Sequence, residues 1–184
     1  DTLTYTISDG VPSGRPALPA TLDLAAPGDS GTTIAAADGA FFGTAVASAG
    51  DVDGDGIADV VVGANRAVNP DGDMTGGAAV IFGVAGGLPA VDPATLDGTE
   101  GFWVYGEDIG ALTGASVAGV GDVNGDGIDD DALGALDGDV ATDGGGTRFQ
   151  AGEVYVLYGT DGGFAASYMP SDLDGTAGFV IAGA

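Results

Sequence analysis

One stretch of fifteen residues occurs twice, and it constrains the chain more than any other feature. Residues 50–64 read Gly-Asp-Val-Asp-Gly-Asp-Gly-Ile-Ala-Asp-Val-Val-Val-Gly-Ala, and residues 121–135 read Gly-Asp-Val-Asn-Gly-Asp-Gly-Ile-Asp-Asp-Asp-Ala-Leu-Gly-Ala. The copies are offset by 71 residues, and their flanks recur in the same order. Phe42-Gly43-Thr44-Ala45-Val46-Ala47 returns as Thr113-Gly114-Ala115-Ser116-Val117-Ala118, the segment 77–83 as 152–159, and 96–102 as 173–179. A unit repeated at such a period is one supersecondary element per copy, stacked on its neighbours to bury a shared core.

Within each unit the apolar residues come in short blocks bounded by Gly or Asp. Ala45–Ala49, Asp59–Val62, Ala78–Phe82 and Gly101–Tyr105 are predicted strands, rich in Val, Ile, Phe and Tyr. No segment sustains a 3.6-residue apolar period over ten positions, and 37 of the 184 residues are Gly, so almost no helix is expected. Four short strands per unit, repeated, predict an all-β chain of propeller-type blades. The expected organisation is an N-terminal strand and Pro-rich linker over 1–20, a first repeat unit over 21–106 and a second over 107–184. In the first segment Leu3–Ser8 alternates as a half-buried strand, while Pro12, Pro16 and Pro19 mark an extended linker. Leu22-Asp23 begins an earlier, diverged copy of the 96–102 piece. A start at Asp1 reads as a processed product or a fragment.

Composition removes whole classes of function. Acidic residues outnumber basic ones 28 to 3, a formal charge of -25. That charge repels phosphate backbones and anionic lipid, so neither a nucleic-acid partner nor membrane insertion is expected. No apolar run approaches the roughly 20 residues of a spanning helix. The chain has no Cys, no His and no Lys, which excludes disulfides, thiolate and imidazole metal sites, and Schiff-base chemistry. All but three of the acids (Glu100, Glu107 and Glu153) are Asp, the residue of turns and hard-cation sites. A 45% hydrophobic content still provides a core. The acid excess fits salt water, where counter-ions screen self-repulsion, and the lack of Cys fits an extracellular acidic protein as well as a cytosolic one.

The repeated stretch carries the candidate chemistry. Asp51, Asp53, Asp55 and Asp59 take positions 1, 3, 5 and 9 of one loop, and Asp122, Asn124, Asp126 and Asp130 take them in the other. Hard cations require six to eight oxygens at about 2.3–2.6 Å, and alternate residues of a tight loop can aim side chains at one point. Ile57 and Ile128, at position 7, offer backbone carbonyls; Gly54, Gly56, Gly125 and Gly127 permit the turns. Ca²⁺ suits an all-oxygen loop better than Mg²⁺, which keeps more water, so two Ca²⁺ sites are expected. The plain alternative is that Asp-Gly and Asn-Gly pairs only make turns. An EF-hand loop would need Glu at position 12, where Val62 and Leu133 stand, and Gly63 and Gly134 interrupt the helix a dockerin-type module would need.

Taken together, Phe42-Gly43, the Asp-rich loop, Asp-Val-Val-Val-Gly-Ala-Asn and Gly-Ala-Ala-Val-Ile-Phe-Gly resemble FG-GAP repeats, the blades of integrin α-type β-propellers. The resemblance covers roughly 38–184 and implies four-stranded antiparallel blades, about two of them here, which do not close a ring on their own. It also implies Ca²⁺ in the loop between neighbouring antiparallel strands, held by the eight side chains named and the two Ile carbonyls. Departures are Asn65 and Leu136 where the family has Pro, Thr113-Gly114 in place of Phe-Gly, and Asp131 where the first copy has Val60. That last change predicts a distorted second blade or an unusual neighbour. Residues 1–10 resemble the last strand of bacterial Ig-like or cadherin-like adhesin domains.

These features lead to a non-enzymatic, calcium-stabilised structural or adhesive module of the cell surface or extracellular space. It is expected in a larger surface protein or a fibre, associating with itself or with further repeats of the same polypeptide through strand or sheet-edge pairing. The alternatives are a propeller segment that recognises a protein or glycan ligand, and a non-catalytic segment of a secreted hydrolase. A glycosidase reading of the carboxylates fails on their metal-loop spacing. Phe102-Trp103-Val104-Tyr105 reads as a core strand or as a sugar-stacking surface, and Arg15, Arg66 and Arg148 as structural or solubilising cations.

Overall fold

The computed structural model describes Ile34 and residues 39–86, 88–141 and 146–184. The expected strand Leu3–Ser8, the Pro-rich linker, Arg15 and Leu22-Asp23 lie outside the described residues. The first unit forms β1 (Phe42–Gly50), β2 (Asp59–Ala64), β3 (Gly77–Ile81) and β4 (Gly101–Tyr105). The second forms β5 (Thr113–Gly121), β6 (Asp130–Ala135), β7 (Val140–Ala141), β8 (Thr147–Arg148), β9 (Glu153–Leu157), β10 (Ser167–Tyr168) and β11 (Gly178–Ala182). There is no α-helix among the described residues; 3₁₀ turns at Pro93–Thr95 and Pro170–Asp172 occupy matching places in the two units.

Two sheets result, ordered β1-β2-β3-β4-β10 and β11-β9-β6-β5, with β7-β8 a small separate hairpin in the second unit's insertion. Pairing within each unit is antiparallel, as the repeat implies; β10 alone runs parallel, beside β4 at Ser167↔Trp103 and Tyr168↔Val104. The two sheets do not close a ring. Registers match between units: Val60 faces Ile81 in the first, and Asp131 faces Leu157 in the second. The β6 ladder runs on through Asp131 without a break on the β9 side, so the acid does not distort the blade. An irregularity at Ser48/Gly50 is mirrored at Gly119/Gly121, where each chain enters its Asp-rich loop.

Alternation along the strands sorts side chains into two cores. Val61, Ala78, Val80, Phe102 and Val104 meet Leu133, Ala135, Tyr155 and Leu157 of the second sheet in one cluster. Val62, Ala64, Ala79, Ile81 and Trp103 form the other, on the far face of the first sheet. The aromatic block of β4 therefore fills both cores: Phe102 and Val104 one, Trp103 and Tyr105 the other. Trp103 is held by a 2.7 Å hydrogen bond from Nε1–H to the Pro93 carbonyl. Each such buried side chain stabilises the fold by about 1.5–3 kcal/mol relative to exposure. The sheets touch at backbone level where a Cβ on Gly63 would lie 2.1 Å from the Gly114 carbonyl oxygen. The Gly-Ala after the Val run and the Gly after Thr113 are what allow β5 to rest on β2.

Candidate metal centre

Each Asp-rich loop joins the first two strands of its sheet. The loops begin and end on the same bonds. Asp59, the last loop residue and the first of β2, accepts from the Val52 amide at 2.8 Å and the Gly83 amide at 2.7 Å. Asp130 accepts from Val123 at 2.8 Å and Gly159 at 2.9 Å. Each thus ties the loop entry to the exit of the third strand of its blade. Asp51 and Asp122 accept from the amides of Gly56 and Gly127, both at 2.9 Å. Asp53 and Asn124 accept from Asp55 and Asp126, which in turn accept from Ile57 and Ile128. These short Asx bonds wind each loop around its own side chains.

The structure separates the predicted residues. In the first loop Asp51, Asp53 and Asp59 converge, each offering a carboxylate oxygen within 4.8 Å of the others. Asp55 is exposed and stands outside that trio, and Ile57 is half-buried. In the second loop Asp122, Asn124 and Asp126 are exposed while Asp130 is buried, and Asn124 Nδ2–H donates to Asp126 Oδ2 at 2.8 Å. No second trio of carboxylates that close occurs among the described residues.

Electrostatics explain what the first trio requires. Burial raises the Asp59 carboxyl from 3.8 to about 6, with the charges of Asp53 and Asp51 adding to it against two stabilising backbone bonds. Burial also raises Asp53, helped by the charges of Asp55 and Asp51. Asp51 Oδ1 is buried and has no hydrogen-bond partner, whereas its counterpart Asp122 Oδ1 accepts from Gly125 and Asp126. Carboxylates crowded together, one with an orphaned buried oxygen, form an all-oxygen donor set with unsatisfied negative charge. The residues therefore fit a hard divalent cation. Asp51, Asp53 and Asp59 would hold it, and it would supply the positive charge the trio lacks.

The difference between the loops comes from a neighbour. Asp129 of the second loop accepts from the Asp51 amide at 3.0 Å and donates its own amide to the Asp51 carbonyl at 3.2 Å. Thr160 donates to the Val52 carbonyl at 2.8 Å. The second unit thus covers and braces the first loop. Sequence reasoning did not find Asp129 or Thr160, because the position equivalent to Asp129 in the first copy is Ala58 and nothing local marks a cross-sheet contact. The Arg66 guanidinium stands over the Phe41 ring, 4.8 Å from its centroid.

The family model described as FG-GAP repeat matches residues 42–81, which span β1, the first loop, β2 and β3. FG-GAP repeats are β-propeller-type modules, typically non-catalytic, typical of extracellular proteins and often calcium-binding. No helix among the described residues is long and apolar enough to cross a membrane. In sequence and in strand order, residues 42–81 are therefore similar to an FG-GAP repeat of the integrin α type, and the second sheet repeats that order around a loop of the same spacing.

Proposed function

We propose that this chain is a calcium-stabilised, non-enzymatic structural or adhesive module of an extracellular or cell-surface protein. The convergence of Asp51, Asp53 and Asp59 around a buried, partnerless carboxylate oxygen carries the calcium reading. Ca²⁺ there and in the second loop would couple ion binding to sheet formation, since the crowded carboxylates repel one another until an ion neutralises them. The test is thermal melting in Ca²⁺ and in EDTA. The module melts higher with calcium, and an unchanged melt removes the reading.

The assembly role rests on a comparison between equivalent positions. Ala49, Val52 and Val104 of the first unit are 1%, 2% and 0% exposed, covered by the second. Their counterparts Val120, Val123 and Ile181 are 40%, 50% and 52% exposed. The second sheet thus presents the same apolar face that the first sheet buries. A further blade of the same kind, from this polypeptide or a second copy, is the occupant that fits it. Analytical ultracentrifugation of the chain alone and with Val123→Asp tests self-association: the variant sediments as a smaller species if copies meet on this face.

A further inference from the structure

Asp131 stands outside the ligand positions of both loops. It sits in β6 where the first copy has Val60, and it is 1% exposed. Both its carboxylate oxygens are buried without a hydrogen-bond partner. Pairing places it opposite Gly119 and Leu157, on the side of the second sheet from which Leu133 and Leu157 enter the core between the sheets. Across that core, Asp59 shares a face of the first sheet with Val61. Gly119 brings backbone oxygens to the same place: a Cβ there would lie 2.5 Å from the Ser48 carbonyl oxygen and 3.0 Å from that of Ala49.

A proton alone does not resolve this environment. A neutral carboxyl could place its one O–H on a neighbouring oxygen but would leave its second oxygen buried without a donor, which costs as an unmade hydrogen bond does. Asp59, Asp130 and Asp129 act on Asp131 with charge of its own sign. Asp59 and Asp130 each use one lone pair per oxygen on backbone amides, which leaves further acceptor capacity on both.

We propose that the junction between the two sheets takes a divalent cation of its own, ligated by Asp131 from the second sheet and Asp59 from the first. The ion is separate from the loop ions and shares only Asp59 with them, so it rests on the same carboxylate–calcium chemistry but not on the loops being filled. It would pin blade to blade, where the loop ions pin strand to strand. The substitution of Asp for Val is then a ligand introduced across from Asp59 in the junction between the sheets.

The experiment is native mass spectrometry of the full chain in Ca²⁺, comparing the unsubstituted protein with Asp131→Asn, Asp131→Val and the loop pair Asp51→Asn/Asp122→Asn. The unsubstituted protein should carry one ion more than the two loops account for, each Asp131 variant should lose one ion, and the loop pair should keep the Asp131-dependent ion. Equal ion counts with and without Asp131 overturn the proposal and leave the loop reading intact. A count that falls with Asp131→Asn but not with the loop pair upholds the proposal and removes the loop sites instead. If Asp131→Val fails to fold, Asp131→Asn carries the comparison. Its calcium-induced rise in melting temperature should be smaller than that of the unsubstituted protein, and an equal rise overturns the proposal.

Discussion

Asp130→Ala should cost more stability than any other single change in the second loop, and the structure fixes how much more than Asp130→Asn. Asp130 is fully buried and accepts from Val123 and Gly159, the first amide at the loop entry and the second just beyond β9. Alanine leaves both amides without an acceptor, at about 1–3 kcal/mol each, so about 2–6 kcal/mol in all. Asparagine keeps one oxygen and turns an NH₂ toward the other donor, so it loses one of the two bonds. Both variants remove the same negative charge beside Asp131, so relief of that repulsion cancels in the comparison. The difference between them isolates one buried N–H···O bond, about 1–3 kcal/mol, or a shift of about 1 M in the urea midpoint. Unfolding in EDTA, followed by the fluorescence of Trp103, the chain's single tryptophan, reads this without interference from bound ions. Coincident midpoints for the two variants would refute the idea that Asp130 clamps the loop to the third strand of its blade.

Two further outcomes follow from the site and the sheet contact. Because the folded-state carboxyl of Asp59 is raised from 3.8 to about 6, its contribution favours the fold below about pH 4 and is lost as the pH rises through about 6. In EDTA the melting temperature should fall across that window, while calcium, which binds the ionised form, should reverse the slope; an EDTA melt that rises with pH contradicts the assignment. Gly63→Ala should destabilise by about 1–3 kcal/mol, because the methyl meets the Gly114 backbone rather than a movable side chain. Urea titration checks it, and a change under about 0.5 kcal/mol would show that β5 does not rest on β2.

The parts of this molecule that were legible in the sequence are those set by residues close together in the chain. The alternating Asp and Asn of the loops, the Gly between them and the Asp at position 9 all act within nine residues, and the structure winds each loop on just those side chains. The strands were legible because Asp59-Val-Val-Val and Gly77-Ala-Ala-Val-Ile are unbroken apolar runs, as expected of strands buried on both faces. Even there, β1 extends to Phe42–Gly50 where the apolar block alone ended at Ala45–Ala49, since ladder pairing with β2 carries the strand through Phe42, which pairs with Ala64. What the sequence hides is the consequence of stacking. The short polar pair Ser167-Tyr168 has no strand signal, yet it extends the first sheet in parallel, because the second unit's return path passes the β4 edge. Two loops of nearly identical sequence differ in burial because Asp129 and Thr160 cover one of them and no described residue stands in that place over the other. Position 131 shows both sides of the division. That an acid replaces Val60 is visible in the repeat, but that it points into the junction between the sheets opposite Asp59 requires the second sheet to be laid on the first. The departures from a repeat are therefore where its sequence says least and its packing says most: a residue that breaks the pattern of its own blade is answering to the neighbouring one.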